Sequence, residues 1–305
     1  MKKTYVGILL VMLSALGFSF LPIFALSAYK SGITVSTLLL IRFFTATVLF
    51  FAYILLFMKH PAITWKNIFH FILLGGIGYT LQAIFYFNSV KYISPSLAVL
   101  MLYTFPVFVA ILSFIFFKES LNRKTILSMV LSFAGLVVIT AAGTGNINIT
   151  GIIFGLLAAV TYSFYIVLGS HVIKNMPSIV TSAWVTLFAT LGILVSGLPA
   201  GEIKFTFDPA ALLPTAGIAI FSTVLAIFTF FKGLEYLTPT KASILSMLEP
   251  VFTIILTALL LRGFMNAYQM AGGVIVLVGA AMTVLTQKRN QRGDMEKITA
   301  VEHKA

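Results

Sequence analysis

Ten apolar stretches, each long enough to cross a bilayer, follow one another through the 305 residues with only short polar joints between them. A hydrocarbon layer about 30 Å thick takes about 20 apolar residues in helical form. Only helices and closed barrels satisfy the backbone there. The stretches run 5–29, 35–58, 68–90, 94–117, 123–142, 150–170, 178–198, 212–234, 239–261 and 266–286. None alternates with a period of two, which excludes a barrel. The expected class is an all-α integral membrane protein with ten transmembrane helices. A mean hydropathy of +1.06 with only 9% charged residues agrees, since soluble domains carry about 25%.

The chain also repeats itself. The segment Tyr236 to Phe264, YLTPTKASILSMLEPVFTIILTALLLRGF, matches YISPSLAVLMLYTFPVFVAILSFIFFKES at an offset of 144 residues. Tyr236 falls on Tyr92, Pro239 on Pro95, and Pro250-Val251-Phe252 on Pro106-Val107-Phe108. The same offset pairs Gly7 with Gly151, Ser19-Phe20 with Ser163-Phe164, Asn122 with Asn266 and Gly135 with Gly279. The expected organisation is a first repeat over 1–144, a second over 145–288 and a disordered polar tail over 289–305. Met1-Lys2-Lys3 and Ala25-Leu26-Ser27 bracket an apolar run in the manner of a signal peptide. That run exceeds the usual 7–15 or so residues of such a core, and its repeat partner lies mid-chain, so it is expected to stay as span 1.

Five spans per half is an odd number, so the second half must enter the membrane upside down. Lysine and arginine counts fix the expected orientation. With a cytoplasmic N-terminus, the outer segments hold only Lys30, Lys91, Lys204 and Arg262, Arg42 lies within a span, and every other basic residue is inside. Both ends are then cytoplasmic in a cell (plasma or inner) membrane. The net charge of +12 is thus topological information, with single cations between apolar runs rather than a nucleic-acid-binding patch. There is no cysteine, which removes thiol chemistry and thiolate metal sites. Inverted repeats of this type are common in secondary transporters, with the substrate site near the midplane between the halves.

With Leu40-Ile41-Arg42-Phe43 in span 2, Gln82 in span 3, Ser94-Pro95-Ser96 after it, and Leu248-Glu249-Pro250-Val251 in mid-span 9, the chain resembles the drug/metabolite transporter superfamily, specifically its EamA-like branch. The resemblance covers spans 1 to 10. It departs where family copies often carry a Gly-Glu pair after spans 4 and 9: here stand Lys118-Glu119 and Arg262-Gly263. The resemblance implies export or exchange of small metabolites, often amino acids or related amphiphiles, from a central cavity.

Glu249 leads the candidate residues. An acidic group at mid-membrane costs about 2.5–3.5 kcal/mol on insertion scales. Ser246 and Thr253 lie three before and four after it, on one helical face. Their repeat counterparts are Phe105, Leu102 and Val109, so polarity breaks the symmetry there. Glu249 is read as a proton-coupling candidate or a partner for a substrate amine, or else as a protonated packing residue. Pro250 and its twin Pro106 are expected to kink their spans.

Span 3 carries a polar seam of Gly75, Tyr79, Gln82, Tyr86 and Ser89, and Thr223 in span 8 is the counterpart of Tyr79. Phe18 and Ser19, Tyr103, Tyr162 and Tyr165 lie at matching depths as candidate walls of a mostly apolar pocket. Arg42 sits seven residues into span 2, about 10 Å deep, and is read as structural, snorkelling or paired. Ser128, Ser132 and Gly135 with Gly272, Gly273 and Gly279 form small-residue stripes for close packing within the bundle or for a homodimer seam.

The expected function is alternating-access transport of a small-molecule substrate, with proton coupling as one possible drive and no cofactor, metal or nucleic-acid partner. A flippase of lipid or lipid-linked substrates is the variant within that class. A membrane enzyme needs clustered acids, bases or ligands, whereas the aspartates and histidines here lie away from mid-span. No P-loop occurs. A non-transporting sensor or assembly protein would be expected to carry a large soluble part.

Overall fold

The computed structural model describes residues 2–58, 62–119, 121–141, 148–260 and 265–302, with the side chains of 3–285 among them. Among these residues ten helical spans are long and apolar enough to cross a membrane, from Lys3–Lys30 to Ala267–Leu285. Each coincides with one of the ten expected stretches. Five are single α-helices: α3 (Val35–Phe57), α8 (Arg123–Thr140), α9 (Ile149–Val172), α10 (Ser178–Gly197) and α15 (Ala267–Glu302). The last continues through polar sequence for which composition predicts no fixed structure.

The other five spans are interrupted. Span 1 is α1 (Lys2–Ser19) and α2 (Leu21–Lys30). Pro22 causes that break, since its ring lacks an N–H and clashes with the carbonyl four residues back. Its counterpart Ile166 lies inside the unbroken α9. Span 3 runs α4 (Trp65–Phe71), a π-helical segment Ile72–Tyr79 and α5 (Thr80–Tyr92). Span 8 has the same plan, with a short turn at Pro209–Ala211, α11 (Leu212–Gly217), a π segment Ile218–Leu225 and α12 (Ala226–Leu234).

Spans 4 and 9 split at the repeat offset: α6 (Pro95–Leu102) and α7 (Phe105–Phe117) against α13 (Pro239–Ser246) and α14 (Glu249–Leu260). In both, the first half ends four residues before the proline, at Leu102 and at Ser246. These are full breaks rather than kinks in a continuous helix. Asn122 and Asn266 cap α8 and α15 alike, each side-chain oxygen accepting the N–H three residues on, at 2.8 Å.

The halves interlock rather than sit side by side. The main packed pairs are α1 with α12, α5 with α9, α3 with α10, and α8 with α15, each joining one helix of the first half to one of the second. Gly7 packs on Tyr236 and Leu237, and its twin Gly151 on their twins Tyr92 and Ile93. A two-fold relation between the halves requires such reciprocity. It also shows the inversion, because span 1 begins at the end where span 8 finishes, and span 6 begins where span 3 finishes. The seam of α8 and α15 repeats the pattern: Gly135 meets Gly272 and Val276, while Gly279 meets Ser128 and Ser132. The small-residue stripes are therefore filled within the chain. Gly273 is the exception, with only Val251 nearby, 3.9 Å from where a β-carbon would stand.

The two ends of the bundle differ. One gathers Phe117, His171 and Lys174, with the Lys174 ammonium 4.7 Å from the Phe117 ring centre, and Ser178 hydrogen-bonded to Glu235. At the other, the loop after α10 is tied to the start of α3: Ser36 donates to Glu202 at 2.8 Å, and Thr37 exchanges bonds with the Lys204 backbone. We call these the Lys118 end and the Glu202 end. Lys118 closes α7 with φ of +52°, the left-handed conformation that glycine adopts without penalty. The family pattern that the sequence resembles often has a glycine at this position. Its other departure, at Arg262-Gly263, lies outside the described residues.

Candidate functional site

The interruptions build the site. Regular helices would keep every backbone group inside the helix and every side chain on a fixed stripe. A π turn holds one extra residue, which rotates everything after it. In span 3 the Thr80 hydroxyl takes up the Gly75 carbonyl at 3.2 Å, and in span 8 Thr223 takes up Ile218 at 3.2 Å. Both bonds reach five residues back, where the widened turn has freed an acceptor.

Arg42, 2% exposed on α3, lies between these two turns. Its Nε donates to Thr223 Oγ1 at 3.2 Å and its Nη2 to the Tyr79 hydroxyl at 3.1 Å. Tyr79 and Thr223 occupy equivalent positions in the repeat, so one cation is held by a symmetric pair from the two halves. The guanidinium also lies 4.6 Å from the Phe43 ring centre, a cation–π contact. Arg42 does not snorkel to the surface.

A run of aromatic rings leads away from it. Tyr79 meets Phe43 at 4.8 Å and Tyr165 at 5.7 Å, Tyr165 stacks on Tyr162 at 5.9 Å, Tyr162 meets Phe105 at 4.8 Å, and Phe105 meets Tyr103 at 5.8 Å. Edge-on and offset contacts at these distances contribute about 0.5–1.5 kcal/mol each beyond burial. Tyr103 sits in the break of span 4, with its hydroxyl close to the Glu249 carboxyl. Glu249 opens α14 just past the break of span 9. A carboxylate at a helix N-terminus is favourably placed against the helix dipole. Glu249 keeps partial exposure although it lies deep in the bundle, as do Tyr79, Gln82, Tyr86, Tyr162 and Phe18.

Arg42 and Glu249 feel one another electrostatically but form no direct ion pair. Among the described residues the one ion pair is Lys232 with Glu235, at 2.7 Å and far from this site. An arginine and a glutamate thus lie in the same interior, with tyrosines between them. Gln82 and the Tyr86 and Tyr162 hydroxyls make no hydrogen bond within the described residues, which leaves polar atoms for something else to meet.

The other sequence candidates fall differently. Gly75 packs on α10, and the buried Ser89 hydroxyl donates to the Gly151 carbonyl at 2.7 Å. The seam of span 3 therefore has its middle at the site and its ends in helix interfaces. Ser246 returns its hydroxyl to Ala242 at 3.0 Å, and the break separates it from the face of Glu249. Ser19 donates to Leu16 at 2.6 Å, while its carbonyl accepts from Thr253 at 3.4 Å. That bond ties α14 to the break of span 1. Pro106 and Pro250 each stand second in the helix after a break.

Sequence reasoning gave Arg42 a structural role, and the geometry brings it to the site. Tyr29, at the end of α2, was not singled out; it lies within electrostatic reach of Arg42 and Tyr86. A tyrosine at a span end reads as an interfacial anchor, and Tyr29 does keep part of its surface exposed. Its counterpart is Ile173.

Comparison with known proteins agrees with this architecture. The chain is 27% identical over 267 residues to the uncharacterized transporter YyaM of Bacillus subtilis, covering 83% of this chain and 81% of the relative. It is 24% identical over 258 residues to the uncharacterized transporter YetK of the same organism, covering 82% and 78%. An uncharacterized transporter of Archaeoglobus fulgidus is 26% identical over 223 residues, covering 72% and 76%. A solved crystal structure superposes with a TM-score of 0.78 at 20% identity, over 93% of this chain and 98% of the other. The model of the EamA-like transporter family matches twice, at residues 5–141 and 149–285, the two copies standing 144 residues apart at both ends. The chain is a multi-pass membrane protein and belongs to the EamA-like transporter family.

Proposed function

We propose that the protein is a secondary transporter that moves small amphiphilic metabolites, amino acids or close relatives, out of the cytoplasm by alternating access. The observation that carries this reading is the separated pair Arg42 and Glu249. A charge deep in a membrane protein is costly unless paired, and these two stand apart on either side of an aromatic wall. A solute with a carboxylate and an amine supplies both partners at once. Its carboxylate takes the guanidinium donors that Tyr79 and Thr223 leave free, its ammonium takes Glu249, and its side chain lies on Tyr162 and Tyr103.

The inverted halves supply the motion. The breaks in spans 4 and 9 are joints about which half-spans tilt, opening the site to one side and then the other. The excess of basic residues at the Lys118 end supports a cytoplasmic position for that end and both termini, in a plasma or inner membrane.

The test is flux of labelled amino acids and related metabolites into proteoliposomes, with and without an inward-acidic pH gradient. Saturable flux that the gradient drives and Glu249→Gln loses supports transport with Glu249 as the coupling group. Saturable flux indifferent to pH keeps the transporter and reduces Glu249 to binding or packing. Folded protein that moves no solute sinks this reading and turns attention to lipid-linked substrates.

A further inference from the structure

The two broken spans are equal in sequence position but unequal in packing. α13 packs against α7 at the Lys118 end. The symmetry-equivalent pair at the opposite end is α6 and α14. Among the described residues these two are not a main packed pair: α6 lies chiefly on α5, α8 and α9, and α14 chiefly on α1, α2 and α15. Other main helix pairs occur in both copies, α1 with α12 matched by α5 with α9. α10 with α12 is likewise a main pair without a matching main pair of α3 and α5, so the departure from two-fold symmetry gathers at one end of the bundle and includes the half-spans that flank the site.

A specific contact accompanies the closed pair. Thr240, in the first turn of α13, donates its hydroxyl to the Glu119 carboxylate at 2.9 Å, just past the end of α7. Lys241, next along, is within electrostatic reach of the same carboxylate. Glu119 is aimed there by the cap of α7. Left-handed Lys118 turns the chain, and the Glu119 N–H returns to the Ser113 carbonyl at 3.2 Å. A left-handed lysine costs about 1 kcal/mol, so the aim is maintained against a local preference. At the other end Ser96 stands for Thr240, but the counterpart of Glu119 is Gly263, which has no carboxylate to offer.

We propose that Glu119 with Thr240 and Lys241 is a one-sided latch that holds the Lys118 end shut. Because the opposite end lacks it, the empty protein rests closed at the Lys118 end. Release of the latch admits solute from that side. This inference rests on the alternating-access reading, but its test reads conformation and not flux.

The chain has no cysteine, so a single cysteine is a clean reporter. Ser243→Cys, a fully buried position one turn into α13 from Thr240, is placed in the purified protein and its rate of reaction with N-ethylmaleimide is followed. Glu119→Ala and Thr240→Val are each expected to raise that rate at least about tenfold. The double variant should add little to the larger single effect, since both remove one contact. Ser132→Cys, buried in the seam of α8 and α15, should keep its slow rate in all variants. No acceleration in either single variant overturns the latch. So does equal acceleration at Ser132, which would mean general loosening, or full additivity, which would mean two unrelated contacts. Labelling that responds as expected in a protein that moves no solute would keep the latch and sink the transport assignment.

Discussion

Arg42 shows how much one buried cation depends on its surroundings. Two hydrogen bonds and a ring face hold it, and hydrogen bonds to a charged group contribute about 1.5–3 kcal/mol each. Arg42→Ala is expected to raise the half-saturating concentration of a carboxylate-bearing solute by about tenfold or more. Arg42→Lys should recover only part of this, because a point-charge ammonium cannot serve Tyr79, Thr223 and a carboxylate in the planar geometry of guanidinium. Flux titrations on both variants decide it. A lysine variant indistinguishable from the parent would mean that charge alone matters.

Glycine in the α8–α15 seam makes the opposite point, that absence of a side chain is also specified. A β-carbon on Gly279 would stand 2.9 Å from the Ser128 carbonyl. Gly279→Val is therefore expected to destabilise by about 1–3 kcal/mol through overpacking. Gly273→Ala, with open space around it, should leave the thermal midpoint of detergent-solubilised protein unchanged.

At the scale of elements, the decisive features are interruptions, and they differ in how far they can be read. That spans 4 and 9 are disturbed at Pro106 and Pro250 was legible, because a proline four residues after a carbonyl excludes that hydrogen bond wherever it occurs. The sequence pointed to a kink, however, and the structure has a full break. Pro250→Ala is expected to rejoin α13 and α14, since proline in a helix interior costs about 3 kcal/mol. The prediction is a thermal midpoint equal to or above the parent with flux reduced at least about tenfold. If flux survives, the joint is not needed for transport.

The π turns left no such mark. Ile72–Tyr79 is apolar and glycine-bearing like any membrane helix, and its neighbours α9, α10 and Arg42 are brought there by tertiary packing that no local pattern contains. For the same reason the helical-face argument linking Ser246 to Glu249 fails: periodicity holds only while a helix continues, and the break falls between them. The Arg42–Tyr79–Thr223 cluster needed the crossing of spans 2, 3 and 8, which no local pattern contains.

At the scale of the whole molecule, what sequence displayed was what sums over many residues. Ten spans follow from hydropathy averaged over about 20 positions, and the repeat follows from an offset held throughout. The interlocking of the halves does not, because a repeat is equally compatible with two bundles lying side by side. Orientation is a prediction at this scale. A protease site or epitope at the C-terminus should be reached only from the cytoplasmic side of sealed vesicles, together with a tag after residue 118, whereas a tag beside Glu202 should be reached only from the other side. Finding Glu202 and the C-terminus exposed on the same face would overturn the inverted arrangement.

The widened turns of spans 3 and 8 bear on how such a chain can change over evolutionary time. Each holds one residue more than a regular helix of the same height, so losing a residue there costs no hydrogen bond and leaves a more ordinary helix behind. Everything beyond the deletion would turn by about 100° about the helix axis. Tyr79, Gln82 and Tyr86 would swing out of the interior together, and Thr223 would leave Arg42 if span 8 were the one shortened. A family with these turns can therefore exchange one whole wall of its cavity by a single codon loss, with the bundle around it intact. Relatives that lack the extra residue should present a different set of side chains to their cargo even where the aligned letters agree.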